Sequence, residues 1–268
     1  MAALADLAAR ISVARRVTAL TGAGVSAASG VPTFRGADGL WRRFRPEDLA
    51  TPQAFAEDPR LVWEWYSWRR NLIARCRPNR AHEVLARWSH SLPGFTLVTQ
   101  NVDGLHETAG TRDVVRLHGS IWHVRCHASC RAGAQSWRDE SVLEPPDPES
   151  DRREELPQCP HCGGLLRPDV VWFGESLDPA ILERAIAAAD CDVFLAIGTS
   201  AVVYPAAGLL YEARRRGAFT VEINPAATDA SDVVDLALAE PAEDALDALD
   251  RLLDPNAEPP PKVRDGPP

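Results

Sequence analysis

Val17-Thr18-Ala19-Leu20-Thr21-Gly22-Ala23-Gly24-Val25-Ser26-Ala27 is the stretch that decides how this chain folds. A short run of buriable residues ends in two glycines one residue apart, and Gly22, Gly24 and Ala27 fit G-x-G-x-x-A directly after a strand. Glycines there permit a tight turn and close backbone approach to a pyrophosphate, whose charge suits the N-terminus of the following helix. The same pattern also describes ordinary strand–turn–helix corners. The acidic residue that would end a second strand about 20 positions on is absent. Asp38 is nearest, but it sits in the loop-like Gly36-Ala37-Asp38-Gly39. A hydride-transferring dehydrogenase therefore fits poorly.

Ahead of this corner, Leu4, Leu7 and Ile11 fall on one helical face and predict an opening amphipathic helix. Behind it, Phe95–Thr99, Val114–Leu117, Val170–Phe173, Val193–Ile197 and Phe219–Ile223 are short and mostly apolar. Parallel strands covered on both faces need such runs. Helical patterns at Ala180–Ala189, Ala206–Arg216 and Ala242–Leu253 alternate with the later strands. The expected fold class is α/β, a Rossmann-like doubly wound parallel sheet.

Two stretches interrupt that rhythm. Residues 41–94 read as a helical insertion, with Leu61, Trp65, Trp68 and Leu72 as its apolar stripe, and residues 123–168 as a small zinc-ribbon module. The sheet domain then comprises residues 1–40, 95–122 and 169–254. The run Glu144–Glu155 has little to bury and reads as a mobile loop, and residues 255–268 read as a disordered tail.

The 268 residues suffice for one large domain with a small module, and 45% hydrophobic with 25% charged residues is a globular composition. A net charge of −9 argues against nucleic acid or an anionic membrane as main partner and favours approach of lysine-bearing segments. Met1–Val17 lacks the apolar core of a signal peptide, and no run approaches the roughly 18 apolar residues that span a bilayer. The expected setting is cytoplasmic and reducing. The six cysteines accordingly read as metal ligands or core thiols rather than disulfides.

Cys159-Pro160-His161-Cys162-Gly163-Gly164 resembles a zinc-ribbon knuckle. With Cys126 and Cys130 it can supply four thiolates to one tetrahedral, closed and therefore structural zinc ion. Three residues separate Cys126 from Cys130, and His127 among them stands as an alternative ligand. Cys76 and Cys191 lack partners at ligand spacing and read as packing residues.

Several motifs occur in one order: Gly22-Ala23-Gly24-Val25-Ser26, Gly30-Val31-Pro32-Thr33-Phe34-Arg35-Gly36, Thr99-Gln100-Asn101-Val102-Asp103-Gly104-Leu105-His106 and Leu117-His118-Gly119-Ser120, then the two cysteine pairs. Together they closely resemble the sirtuins, NAD-dependent protein lysine deacylases. The resemblance implies transfer of an acyl group from protein lysine to ADP-ribose, releasing nicotinamide and 2′-O-acyl-ADP-ribose. It makes His118 the general base, with Asn101 and Asp103 completing the catalytic set. It makes Gly22, Ala23, Gly24, Ser26, Gln100, Asn101, Val102 and Asp103 NAD contacts, joined by Gly198, Thr199, Ser200, Asn224, Pro225 and Ala242. Phe34 and Arg35 would cover NAD from a mobile loop, and Trp41 would also contact it. His106, His123 and His161 read as structural.

Trp63-Glu64-Trp65-Tyr66-Ser67-Trp68-Arg69-Arg70 resembles the segment of the sirtuin branch that prefers malonyl, succinyl and glutaryl groups. Tyr66 and Arg69, three apart on a predicted helix, can point to one side. A guanidinium can grip the distal carboxylate with two parallel bonds, and a phenol adds another donor. The alternative is a solvated helix face, since Arg70 adjoins Arg69. Deacetylation stays open beside desuccinylation and demalonylation. Mono-ADP-ribosyl transfer and a non-catalytic NAD-sensing module are the other functions weighed. The sequence does not set the oligomeric state.

Overall fold

The computed structural model describes residues 2–33, 45–128, 130, 135–141 and 156–255. In chain order the strands are β1 (Val17–Thr21), β2 (Phe95–Thr99), β3 (Val115–Arg116), β4 (Gly119–Cys126), β5 (Trp137–Arg138), β6 (Leu166–Val170), β7 (Val193–Ile197), β8 (Phe219–Ile223) and β9 (Leu236–Leu238). The helices are α1 (Ala2–Val13), α2 (Pro46–Leu49), α3 (Pro52–Glu57), α4 (Pro59–Ile73), α5 (Arg80–Ser91), α6 (Leu105–Thr108), α7 (Pro179–Ala188), α8 (Gly208–Arg215) and α9 (Ala242–Leu253). Proline in the first turn starts α3, α4 and α7, where the side chains of Thr51, Asp58 and Asp178 cap free backbone N–H groups.

A six-stranded parallel sheet runs β3-β2-β1-β7-β8-β9. Its apolar runs are buried on both faces because alternate residues serve different layers. Val17 and Ala19 of β1, with Val193, Leu195 and Ile197 of β7, pack with α1, α5 and α9. Leu20, Phe194 and Ala196 pack on the other side with Ala185 of α7 and Leu209, Leu210 and Ala213 of α8. The strand order reverses between β1 and β7. Open α/β sheets bind ligands at such a switch point, beyond the strands' carboxyl ends.

A second, antiparallel sheet runs β5-β4-β6. Phe55 of α3 and Val62, Trp63, Trp65, Tyr66 and Ile73 of α4 share one core with its Ile121, Val124 and Leu166. The helical stretch read over 41–94 thus divides by packing, because Ala81, Val84, Leu85 and Trp88 of α5 belong to the large sheet's core.

Several local readings need correction. Val170–Phe173 is not a strand of the large sheet: β6 ends at Val170, and the chain turns through Gly174 at φ +85°. The turn after Gly22 leads into a short 3-10 helix, Ala23–Ser29, rather than an α-helix. The edge strand β9 was not anticipated. On α4, two members of the expected stripe face solvent, Leu61 at 45% and Trp68 at 43% exposed, while Arg69 and Arg70 are buried. The run Glu144–Glu155, the Asp38 loop and residues 256–268 lie outside the described residues.

Candidate active site

Strand register assembles the site. Thr21 of β1 pairs with Thr99 of β2 and Ile197 of β7, Thr99 with Arg116 of β3, and Ile197 with Ile223 of β8. The next residues therefore emerge side by side: Gly22, Gln100, Leu117, Gly198 and Asn224. Backbone bonds continue the ladder there, Gln100 N to Thr21 O and Gly22 N to Ile197 O, each at 3.0 Å.

The glycines are needed first against each other. A Cβ on Gly22 would lie 2.7 Å from the Gly198 carbonyl oxygen, and one on Gly24 would lie 2.7 Å from the Gly198 Cα. Gly198 itself has φ +59°. Any side chain at these positions would drive the two loops apart, so the switch point is floored by bare backbone. Thr199 joins the neighbouring strand ends, because its Oγ1 accepts from Gln100 Nε2 at 2.9 Å and its carbonyl from Asn224 Nδ2 at 3.1 Å. Ala23, Ser200 and Pro225 line the same edge with part of their surface open, and Ala242 is buried at the start of α9. Phe34, Arg35 and Trp41 lie outside the described residues.

Behind this edge is a buried polar frame. Asn101 Nδ2 donates to the Gly22 carbonyl at 3.0 Å and to Ser26 Oγ at 3.2 Å. The Ser26 hydroxyl donates to Asp103 Oδ2 at 2.8 Å, and Asp103 Oδ1 caps the Leu105 N–H at 2.9 Å. Trp122, which sequence reasoning missed, donates its indole N–H to the Asp103 carbonyl at 2.6 Å. Asn101 and Asp103 thus clamp the glycine loop to the loop leaving β2. The Val102 side chain is buried in the core shared by α4 and the small sheet.

His118 is half-buried, and its Nδ1 lies 3.0 Å from the Gln100 carbonyl oxygen. A carbonyl can only accept, so Nδ1 carries the proton and Nε2 the lone pair. Burial lowers the ring's pKa below its usual 6.5, while the backbone bond opposes that shift. The ring is therefore neutral at pH 7, with a nitrogen able to take a proton.

Two further histidines fill the space behind the frame. His82 and His106 are fully buried with ring centroids 4.8 Å apart, and His106 Nε2 lies 2.9 Å from Thr21 Oγ1. Burial pushes both pKa values down to about 3. In the unfolded chain each ring protonates near pH 6.5. The unfolded state therefore binds more protons between about pH 6.5 and 3, and folding stability falls as pH drops through that window. Each ring should cost up to about 1.4 kcal/mol per pH unit. Urea unfolding at pH 7 and pH 5 should show a clearly lower midpoint at pH 5, with a shallower dependence in His106→Gln.

On α4, Tyr66 and Arg69 are buried together, with the guanidinium 4.9 Å from the Trp65 ring centre and 5.9 Å from that of Tyr66. Burial lowers the Arg69 pKa, a shift opposed by the neighbouring Tyr66 and by the Asp103 carboxylate. Arg70 turns elsewhere, donating to the Ile121 carbonyl at 2.7 Å and to Asp139 at 3.0 Å. The solvated-face alternative does not describe Tyr66 and Arg69.

The sulfurs of Cys126, Cys130, Cys159 and Cys162 all lie within 4.8 Å of one another, with Cys126–Cys162 at 3.6 Å and Cys130–Cys159 at 3.7 Å. Tetrahedral zinc thiolate bonds of 2.3 Å place sulfurs about 3.8 Å apart, so the four fit a structural zinc. His127 instead packs its ring on Phe55 at 4.8 Å. Burial raises the Cys191 thiol to about 11, and Cys76 is likewise buried. His161 is exposed on the knuckle.

The Sir2 family profile matches residues 22–205, from the glycine corner past the β7 loop. The chain belongs to the Sir2 family. A relative named NAD-dependent protein deacylase 1 from Pseudomonas aeruginosa is 53% identical over 214 residues, covering 79% of this chain and 84% of the relative. An NAD-dependent protein deacylase from Aquifex aeolicus is 48% identical over 225 residues, covering 84% of this chain and 89% of the relative. A solved Sir2 homologue in complex with NAD superposes with a TM-score of 0.83 at 47% identity, covering 92% of this chain and 93% of that one. The Sir2 match spans the glycine corner, the Asn101–Asp103 frame, His118 and the cysteine cluster. No described helix is long and apolar enough to cross a membrane.

Proposed function

We propose that the chain is an NAD-dependent protein-lysine deacylase, active on malonyl, succinyl and glutaryl lysine as well as acetyl lysine. The observation that carries the reading is His118 Nε2, the lone-pair nitrogen of a neutral ring bonded to the carbonyl of Gln100, whose side chain reaches Thr199 next to the switch-point glycines. Bound NAD supplies a ribosyl carbon that parts from nicotinamide and hydroxyls that accept the acyl group.

This chain's residues would do the rest. Gly22, Gly24 and Gly198 admit the dinucleotide's backbone, while Thr199, Ser200, Asn224 and Pro225 border its adenosine end. Gln100, Asn101 and Asp103 line the reacting end; the Gln100 bond to Thr199 and the Asn101 and Asp103 bonds to the glycine loop hold both lips of the crevice in one arrangement. His118 takes the proton of the attacking hydroxyl through Nε2, and its fixed Nδ1–H keeps that lone pair aimed. An acidic acyl chain would end at Tyr66 and Arg69, where a dry site strengthens its ionic hydrogen bonds.

Nicotinamide release tests the reaction. Release should require an acyl-lysine peptide and be absent with the unmodified peptide. Release without any peptide, or ADP-ribose attached to an acceptor protein, would support the transferase alternative instead. Arg69→Met tests the acyl pocket. Hydrogen bonds to a charged group contribute about 1.5–3 kcal/mol, so kcat/KM for a succinyl peptide should fall at least about tenfold more than for the acetyl peptide. Equal losses on both would remove the carboxylate-binding role.

A further inference from the structure

We infer that Trp172 is a positioning residue for acidic-acyl selectivity, holding the Tyr66 hydroxyl so that its proton is presented to the distal carboxylate. The inference rests on the proposal that Tyr66 and Arg69 bind that carboxylate.

Both side chains are buried, and Trp172 Nε1 lies 2.9 Å from Tyr66 Oη. An indole nitrogen only donates, so Tyr66 is the acceptor in this bond and its own proton remains to be given. Burial also raises the Tyr66 pKa, keeping that proton on the phenol at neutral pH. A hydroxyl whose oxygen already accepts a bond is a stronger donor, and a carboxylate is a pure acceptor. An acetyl group offers nothing charged at that point. The arrangement therefore discriminates between acyl classes.

The indole is itself held in place. The Arg167 guanidinium lies 3.3 Å over its ring, and Phe55 packs at 5.4 Å between centroids. Arg167 binds Glu175 through two bonds of 2.6 and 2.9 Å, and Glu175 also accepts the Trp172 backbone N–H at 2.8 Å. One residue earlier, the Val171 N–H donates to the His118 carbonyl at 3.0 Å. The segment that orients Tyr66 is thus pinned to the residue carrying the proposed base.

Trp172→Phe keeps an aromatic face for Arg167 and removes the N–H. The ratio of kcat/KM for succinyl over acetyl peptide should fall about five- to tenfold, carried mainly by KM for the succinyl peptide. Site-specific benzothienylalanine, which keeps the bicyclic shape without the N–H, should reproduce that fall even if Trp172→Phe folds poorly. In a Tyr66→Phe background neither replacement should lower the ratio further. An undiminished fall in that background, or an unchanged ratio in the benzothienylalanine protein while Arg69→Met lowers it, overturns the inference. An unchanged ratio in Arg69→Met overturns the carboxylate-binding proposal and the inference with it.

Discussion

His118→Ala is expected to slow acyl-lysine turnover by about two to four orders of magnitude, the usual contribution of a positioned general base. The loss should fall on kcat, because among the described residues the ring hydrogen-bonds to the Gln100 carbonyl, and the glycine floor and the Asn101–Asp103 frame do not depend on it. Binding of NAD, followed by calorimetry, should survive. In the parent protein the neutral imidazole is the active form, so activity is lost as pH falls through the ring's pKa. Burial has moved that pKa below 6.5. The acid limb of kcat/KM should therefore have its midpoint below 6.5 and disappear from the residual activity of His118→Ala. A limb centred well above 6.5 would assign it to another group.

The second large effect concerns the cysteine cluster. Cys159→Ala should remove bound zinc, measured as metal content falling from one equivalent to none, and lower the melting temperature by roughly 10 °C. Cys126 and Cys159 share a core with Phe55, Trp63, Tyr66 and Trp172. Loosening the knuckle therefore loosens the packing around Tyr66 and the β6 end that leads to Trp172. Activity on succinyl peptides should fall with the metal through this shared packing. Full zinc content in Cys159→Ala, or a stable and fully active metal-free protein, would exclude a structural zinc.

The large sheet was legible because its strands are buried on both faces. Phe95–Thr99, Val193–Ile197 and Phe219–Ile223 read as short apolar runs and are β2, β7 and β8 with those bounds, and Ala242–Leu253 is α9. Burial alone misleads elsewhere. Val170–Phe173 is as apolar as a core strand, but Trp172 is buried against Arg167 in a turn rather than in a ladder. The face of α4 was misread because its buried side includes Ser67, Arg69 and Arg70, which a count of apolar residues assigns to solvent. The three-residue β9, mixed in burial, carries almost no pattern at all. At the site, motifs named the residues the register brings together, whereas Trp122, His82 and Trp172 act by contacts with residues distant in the chain, which spacing does not encode.

One lysine peptide carrying acetyl, malonyl, succinyl or glutaryl, incubated with and without NAD and followed by mass spectrometry, bears most directly on the whole account. The acyl mass should leave the peptide only when NAD is present and should reappear on ADP-ribose. Acyl loss without NAD, or a peptide left unchanged while NAD is consumed, would contradict it.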